Sequence, residues 1–278
     1  MNSMKNKKKT SNILQTLILL ILAFIIVLPI YIAIINTFKQ SDLILSQPLS
    51  VPIPPILDNI ISILKDPNSD ILGMYRNSFV LMVVGTLLTL VVTSLAAYYL
   101  ARANTKISKI LRIYFLIGIM VPYVIVYQPL CILMNKLNIP FGLPLLILVF
   151  VSGNIAFGTY MYTNFIRALP VELEEAAKID GANQIQTFWK VLFPLLRPCT
   201  STIMIFVGLG IWNDFQTPLL LGQVRTITVG IYTAVGPHSA NWGVVFAYVF
   251  IATIPVIIVY LFAQKSFVSG IMAGALKG

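Results

Sequence analysis

Between Ile13 and Ile35 the chain runs for twenty-three residues without a charge. About 20 consecutive apolar residues are what an α-helix needs to cross ~30 Å of hydrocarbon. Five further stretches meet the same condition: Ser78–Leu100, Ile113–Met134, Leu143–Ile166, Cys199–Leu221 and Gly243–Ala263. Asp214 is the one acid inside any of the six. Composition supports the same conclusion, with 58% hydrophobic and 10% charged residues, against roughly 45–50% and about 25% in soluble domains. So little charge cannot cover a water-facing surface, which excludes a soluble enzyme and a disordered scaffold. The first stretch follows Lys5, Lys7, Lys8 and Lys9 as a secretory signal would, but it exceeds the ~7–15 residues of a signal core and no small-residue cleavage site follows. It is expected to be a retained helix.

The net charge of +10 would suit a nucleic-acid binder only if the basic residues were gathered on one face or tail. They are dealt out loop by loop instead. Fourteen Lys and Arg fall at the N-terminus, after the second and fourth stretches, and in the tail, against five on the opposite side. By the positive-inside rule both termini are expected to be cytoplasmic. The expected organisation is a basic segment 1–12, a first span 13–35, an external segment 36–77, a core 78–264 containing a cytoplasmic loop 167–198, and a tail 265–278. The proline-rich external segment is expected to be extended, with a short helix near Ile56–Leu64.

The loop 167–198 carries the most local information. Pro170 suits a first helical turn, and Glu172, Glu174 and Glu175 complement the positive end of a helix dipole. Gly181 suits a left-handed C-terminal stop. Asn183 with Gln186 three residues later fits a capping box opening a second helix. Ile185, Phe188, Trp189 and Leu192 then follow helical spacing as one apolar stripe. Two short helices meeting at a glycine, with small residues beside an acid, suit a partner's groove; an interfacial helix lying on lipid fits the same pattern.

Glu175-Ala176-Ala177, then Gly181, then Val191-Leu192-Phe193-Pro194, resembles the EAA motif of ATP-binding-cassette importer permeases, with Val191 and Phe193 differing conservatively from the usual Ile-x-Leu-Pro ending. The longer string from Leu169-Pro170 through Ile179-Asp180-Gly181-Ala182 is similar to permeases of the carbohydrate-uptake, maltose-type class. So are Met120-Val121-Pro122, Trp212-Asn213-Asp214-Phe215 and the closing Ala273–Gly278. The resemblance implies an all-α integral membrane fold with six transmembrane helices, the type I ABC importer transmembrane domain, in a bacterial cell membrane. It implies that Glu172, Glu175, Ala176, Ala177, Asp180, Gly181 and Ala182 couple to a cytoplasmic ATPase. Glu175 would supply polar contacts, Ala176 and Ala177 a close-packed knob, and Gly181 the angle between the helices. The implied partners are a second related permease, an ATPase dimer that binds the ATP and Mg, an external solute-binding protein and membrane lipid. The chain itself would bind no cofactor and no nucleic acid.

No phosphate-binding G-x-x-x-x-G-K-[ST] loop occurs, so hydrolysis must belong to another subunit. An ion-coupled carrier is the rival class, since such carriers place ionisable residues or broken helices near the midplane; here Asp214 is the single offer. Asp214 and Asn213 either face a cavity and bind substrate hydroxyls or mark a polar break bonded to a neighbouring helix. Tyr123, Tyr127, Gln128, Ser152 and Asn154 could add hydrogen bonds and aromatic faces for a sugar, although helix–helix bonding is the better account of each one taken alone. Pro122 and Pro129 would bend their span. His238, in the outer loop Gln223–Asn241, has no second ligand near it, so no metal site is expected. Cys131 and Cys199 read as small apolar residues. The solute could be a sugar, a phosphorylated polyol or a peptide.

Overall fold

The computed structural model describes residues 2–67, 69–236 and 241–275, with side chains described in 14–67, 69–236 and 241–261. Among them every regular element is helical. His238 lies outside the described residues, as do the last three residues of the closing string.

The elements follow the apolar runs, with instructive departures. Helix α1 spans Asn2–Thr37 and α4 spans Ile71–Arg102, so both outlast their uncharged stretches. Between them α2 (Ser41–Ser46) and α3 (Asp58–Lys65) interrupt the proline-rich segment, α3 where a short helix was expected. The third apolar run is not one rod. It divides into α5 (Lys106–Met120) and α6 (Val124–Lys136), bent by 101°. The proline at 122 lacks an N–H and pushes Val121 out of the helical region, to φ −78° and ψ 117°. Pro129, by contrast, sits inside α6 without ending it.

Helix α7 covers Leu143–Arg167 and α8 Glu172–Ile179. Then α9 (Gln184–Leu195) meets α10 (Arg197–Asn213) at 78°. The fifth apolar run therefore stops short. Helix α10 ends at Asn213, and a wide turn of π type at Pro218–Gly222 follows the break. Helices α11 (Ile227–Val235) and α12 (Trp242–Ala275) complete the chain. Among the described residues four helices are long and apolar enough to cross a membrane, and the two bent pairs raise the number to six if each is one span.

The chain forms two compact units. The larger comprises Leu72–Gly230 and the part from Pro255 onward; the smaller comprises the part up to Ile71 and Ile231–Ile254. In the larger unit α4, α7, α9 and α10 share a core that includes Leu81, Leu146, Tyr162, Phe188, Leu192 and Ile203. Small residues let these helices approach closely, as membrane interfaces require. A Cβ on Gly158 of α7 would lie 2.7 Å from Oγ1 of Thr93 on α4. Two threonines of α4 satisfy their own hydroxyls, Thr89 Oγ1 donating to Gly85 O (2.7 Å) and Thr93 Oγ1 to Thr89 O (2.6 Å), whereas the buried hydroxyls of Thr86 and Thr159 have no partner.

The smaller unit is tied together by polar groups at the end of α1. Asn36 donates to Ile32 O and Pro48 O, Thr37 to Phe246 O, and Asn59 to the carbonyls of Thr37 and Lys39. Lys39 is buried, and its ammonium donates to Asn36 Oδ1 (3.0 Å) and Gln47 O (2.7 Å). Desolvation lowers its pKa from the ordinary lysine value. Lys39, one of the five cations on the side expected to be external, serves here as an internal cross-link.

Candidate functional site

The loop after α7 builds a rigid two-helix corner. Helix α8 opens with Glu172, Glu174 and Glu175 in its first turn, where the positive end of the helix dipole favours carboxylates. It closes through two reversed hydrogen bonds, Ala182 N to Ala177 O (2.9 Å) and Gly181 N to Lys178 O (3.0 Å), the pattern of a Schellman stop. Gly181 takes φ +83°, and a Cβ there would meet nothing within 4 Å. Glycine is required by backbone conformation, not by space. Two residues on, Asn183 Oδ1 accepts from Gln186 N (2.9 Å) while Gln186 Oε1 accepts from Asn183 N (3.0 Å), the capping box read in the sequence.

The faces of α8 divide differently from the expectation of an Ala176–Ala177 knob. Ala177 is buried and Ala176 is exposed, as are Glu172, Glu175, Asp180 and Gly181, with Ala182 half-buried. The residue that turns inward beside Ala177, one helical turn before it, is Glu174, only 4% exposed. Its carboxylate accepts from Arg102 Nε (2.6 Å) and from the Tyr98 hydroxyl (3.0 Å), both on α4, and Arg102 Nη2 also donates to Leu169 O (3.1 Å). This clamp fixes the loop to the end of α4. Sequence reasoning placed Glu174 with its neighbours as a dipole partner and passed over the clamp, because nothing local announces a partner 72 positions away.

The expected stripe on α9 is also divided. Phe188 and Leu192 are buried, while Ile185 is 72% exposed and Trp189 is 37% exposed. Residues Thr187–Leu192 form a π turn, and its i→i+5 bonding rotates positions three and four apart off a common face. Phe188 then packs on Tyr98 at 5.2 Å between ring centroids and on Trp189 at 4.9 Å. The exposed surface of the corner thus combines Glu175, Ala176, Ile179 and Ile185.

The second set of candidates does not converge. Asp214 caps the segment after α10: its carboxylate accepts from Thr217 N (3.0 Å) and from Thr217 Oγ1 (2.5 Å), and Tyr127 shares that hydroxyl at 2.7 Å. Asn213 is exposed and returns its amide to Leu209 O, while Asn154 bonds Phe150 O. Gln128 is exposed. Tyr123 stands edge-on to Tyr127 at 5.1 Å and donates to Val149 O. It also lines a cavity of about 560 Å³ between α5 and α7, along with Tyr114, Phe115, Ser152 and Phe157. Gln128, Asn154, Asn213 and Asp214 do not line it. The bonded-break reading of Asp214 accounts for both of its oxygens.

A multi-pass helical membrane protein with a helix corner presented on a loop is the class these features define. Residues 89–272 match the family model of the binding-protein-dependent transport system inner membrane component, and the chain belongs to that family. Relatives extend over its whole length. It is 30% identical to the multiple sugar-binding transport system permease protein of Streptococcus mutans, covering 99% of this chain and 100% of that one. It is 32% identical to the trehalose/maltose transport system permease protein of Thermococcus litoralis, covering 93% and 94%. It is 30% identical to the arabinooligosaccharides transport system permease protein of Halalkalibacterium halodurans, covering 98% and 100%. Among solved structures, a bacterial ABC transporter involved in the import of the acidic polysaccharide alginate shares the fold, with a TM-score of 0.78 at 22% identity over 92% of this chain and 96% of that one.

Proposed function

We propose that this chain is one permease subunit of an ATP-driven sugar importer, working with a second permease, an ATPase dimer and an external solute-binding protein. The observation that carries the coupling role is the corner Glu172–Gln186: an anchored short helix that keeps its inward acid on α4 and turns Glu175, Ala176 and Ile179 outward. Exposed apolar groups beside an acid, on a backbone held at both ends, suit a groove on another protein. In this reading the corner faces the cytoplasm and the ATPase carries ATP and Mg. Closure of the ATPase moves the corner as a rigid body, and the clamp passes that motion to α4. The sugar class rests on the relatives, whose names specify sugars and oligosaccharides. The ion-coupled alternative loses support because Asp214 is committed to Thr217 on both oxygens.

The test is uptake by the assembled importer in vesicles. Uptake is expected to need ATP and to survive collapse of the proton and sodium gradients. Gly181→Asn, which tolerates positive φ, should retain transport. Gly181→Val should lose it by tenfold or more, since β-branched residues at positive φ are strained by ~1–2 kcal/mol or more. Equal transport by both variants, or uptake abolished by gradient collapse alone, overturns the reading.

A further inference from the structure

A cavity of about 310 Å³ lies where the first turns of α5, the last turns of α7 and the end of α4 meet. Three cations line it, Lys109, Arg112 and Arg167, and no carboxylate does. Arg112 is held by Leu100 O at 3.0 Å. Among the described residues the side chains of Lys109 and Arg167 have no hydrogen-bond or ion-pair partner. Thr159 also lines the cavity; it is 1% exposed, and its hydroxyl has no partner, unlike the threonines that bond back to their own helices. An orphan buried hydroxyl is costly and asks for an explanation. Lys106 and Lys109 stand in the first turn of α5, where the helix dipole is already positive. The potential at this place is positive because of its side chains, with no acid to offset them; the positive first turn of α5 is set against the C-terminal ends of α4 and α7. The wall toward the middle of the span is apolar, with Ile113 59% and Leu116 45% exposed.

We propose that this cavity binds the phosphate of an anionic phospholipid, with Lys109 and Arg167 facing the phosphate, Thr159 donating to it and an acyl chain lying along Ile113 and Leu116. Basic pockets between transmembrane helices are suited to such headgroups. Guanidinium groups match phosphate oxygens in pairs. The positive-inside rule accounts for cations at this end of the bundle, but it does not account for an acid-free cavity around an unsatisfied buried hydroxyl. The volume is at the lower end of small-molecule sites (~300–1,000 Å³), which fits a headgroup with its chains outside. This proposal requires only that the chain spans a membrane and is independent of the transported solute.

The experiment is native mass spectrometry of the full-length chain in micelles, offered equal amounts of phosphatidylglycerol and phosphatidylcholine. Phosphatidylglycerol adducts are expected to predominate. Each juxtamembrane cation is worth about fivefold, so Lys109→Gln/Arg167→Gln should cut that preference by about twenty-five-fold, and Thr159→Val by a few fold. Lys136→Gln should not change it. Equal retention of the two lipids, or a preference that survives the double variant while gel filtration shows it folded, overturns the proposal. Displacement of the lipid by inorganic phosphate alone would assign the site to a free anion and overturn the lipid source. A protein crosslinked to this cavity in place of lipid would also overturn it. Should the double variant not fold, the near-isosteric Thr159→Val is read by itself, and an unchanged preference there counts against the site.

Discussion

Glu174 is the residue on which the proposed corner depends most. Its side chain is 6% exposed and that of Arg102 19%, so each charge has lost most of its water and relies on the other. Removing one partner of such a pair costs about 3–5 kcal/mol, whereas replacing both with apolar groups is often close to neutral. Arg102→Met alone should therefore lower the midpoint of thermal unfolding in detergent markedly, and Arg102→Met/Glu174→Leu should recover most of that loss. Transport should not recover with it, because the proposed role of the pair is to carry motion from α8 to α4, and a greasy contact lacks the directional bonds to Nε, Nη2 and the Tyr98 hydroxyl. A double variant that is stable and transports normally would reduce the clamp to packing. None of this pairing was legible in the sequence. The three glutamates of the first turn are chemically equivalent when read locally, and only the tertiary approach of α4 singles out the middle one.

At the scale of elements, the sequence disclosed whatever is decided locally. The capping box at Asn183 and the glycine stop at 181 follow from short-range bonding and stand as expected. The elbow at Pro122 was foreseen as a bend, though not as a turn of 101°, because proline removes a donor without dictating where the freed chain goes. The π turn at Thr187–Leu192 was not legible, since its spacing imitates an ordinary amphipathic helix until the burial of Phe188 and Leu192 decides otherwise. Helix–helix contacts were likewise hidden, although the glycines that permit them are plain to see. The approach of α4 to α7 offers a direct check. A side chain on Gly158 would collide with Thr93 at 2.7–2.9 Å, and overpacking of a close contact costs about 1–3 kcal/mol. Gly158→Ala should accordingly reduce thermal stability in detergent, and Thr93→Ala in the same chain should restore a good part of it by removing the atoms in the way. Failure of the second substitution to compensate would show that the two helices do not meet at this point.

For the whole molecule, the apolar runs revealed the membrane class and the stretches able to cross, four helices and two bent pairs among the described residues, while the distribution of Lys and Arg is what assigns a direction. That direction underlies the proposed coupling, because an ATPase can grip the corner at Gly181 only from the side that holds nucleotide. The two ends of the α5–α6 pair provide the measurement. Asn104 lies between α4 and α5, on the lysine-rich side, and Lys136 closes α6 at the other; both are exposed. With Cys131→Ser and Cys199→Ala as background, a membrane-impermeant maleimide applied to intact cells should label the Lys136→Cys variant and leave the Asn104→Cys variant unlabelled until the membrane is permeabilised. The bend of 101° within this pair makes the experiment sharper. A true span carries its ends to opposite faces, whereas a re-entrant loop would return both to one face. Labelling of both positions from outside would make the α5–α6 pair re-entrant and leave α7 (Leu143–Arg167) to carry the loop to the cytoplasm, whereas labelling of Asn104→Cys alone would remove the loop 167–198 from the cytoplasm, and the coupling mechanism with it.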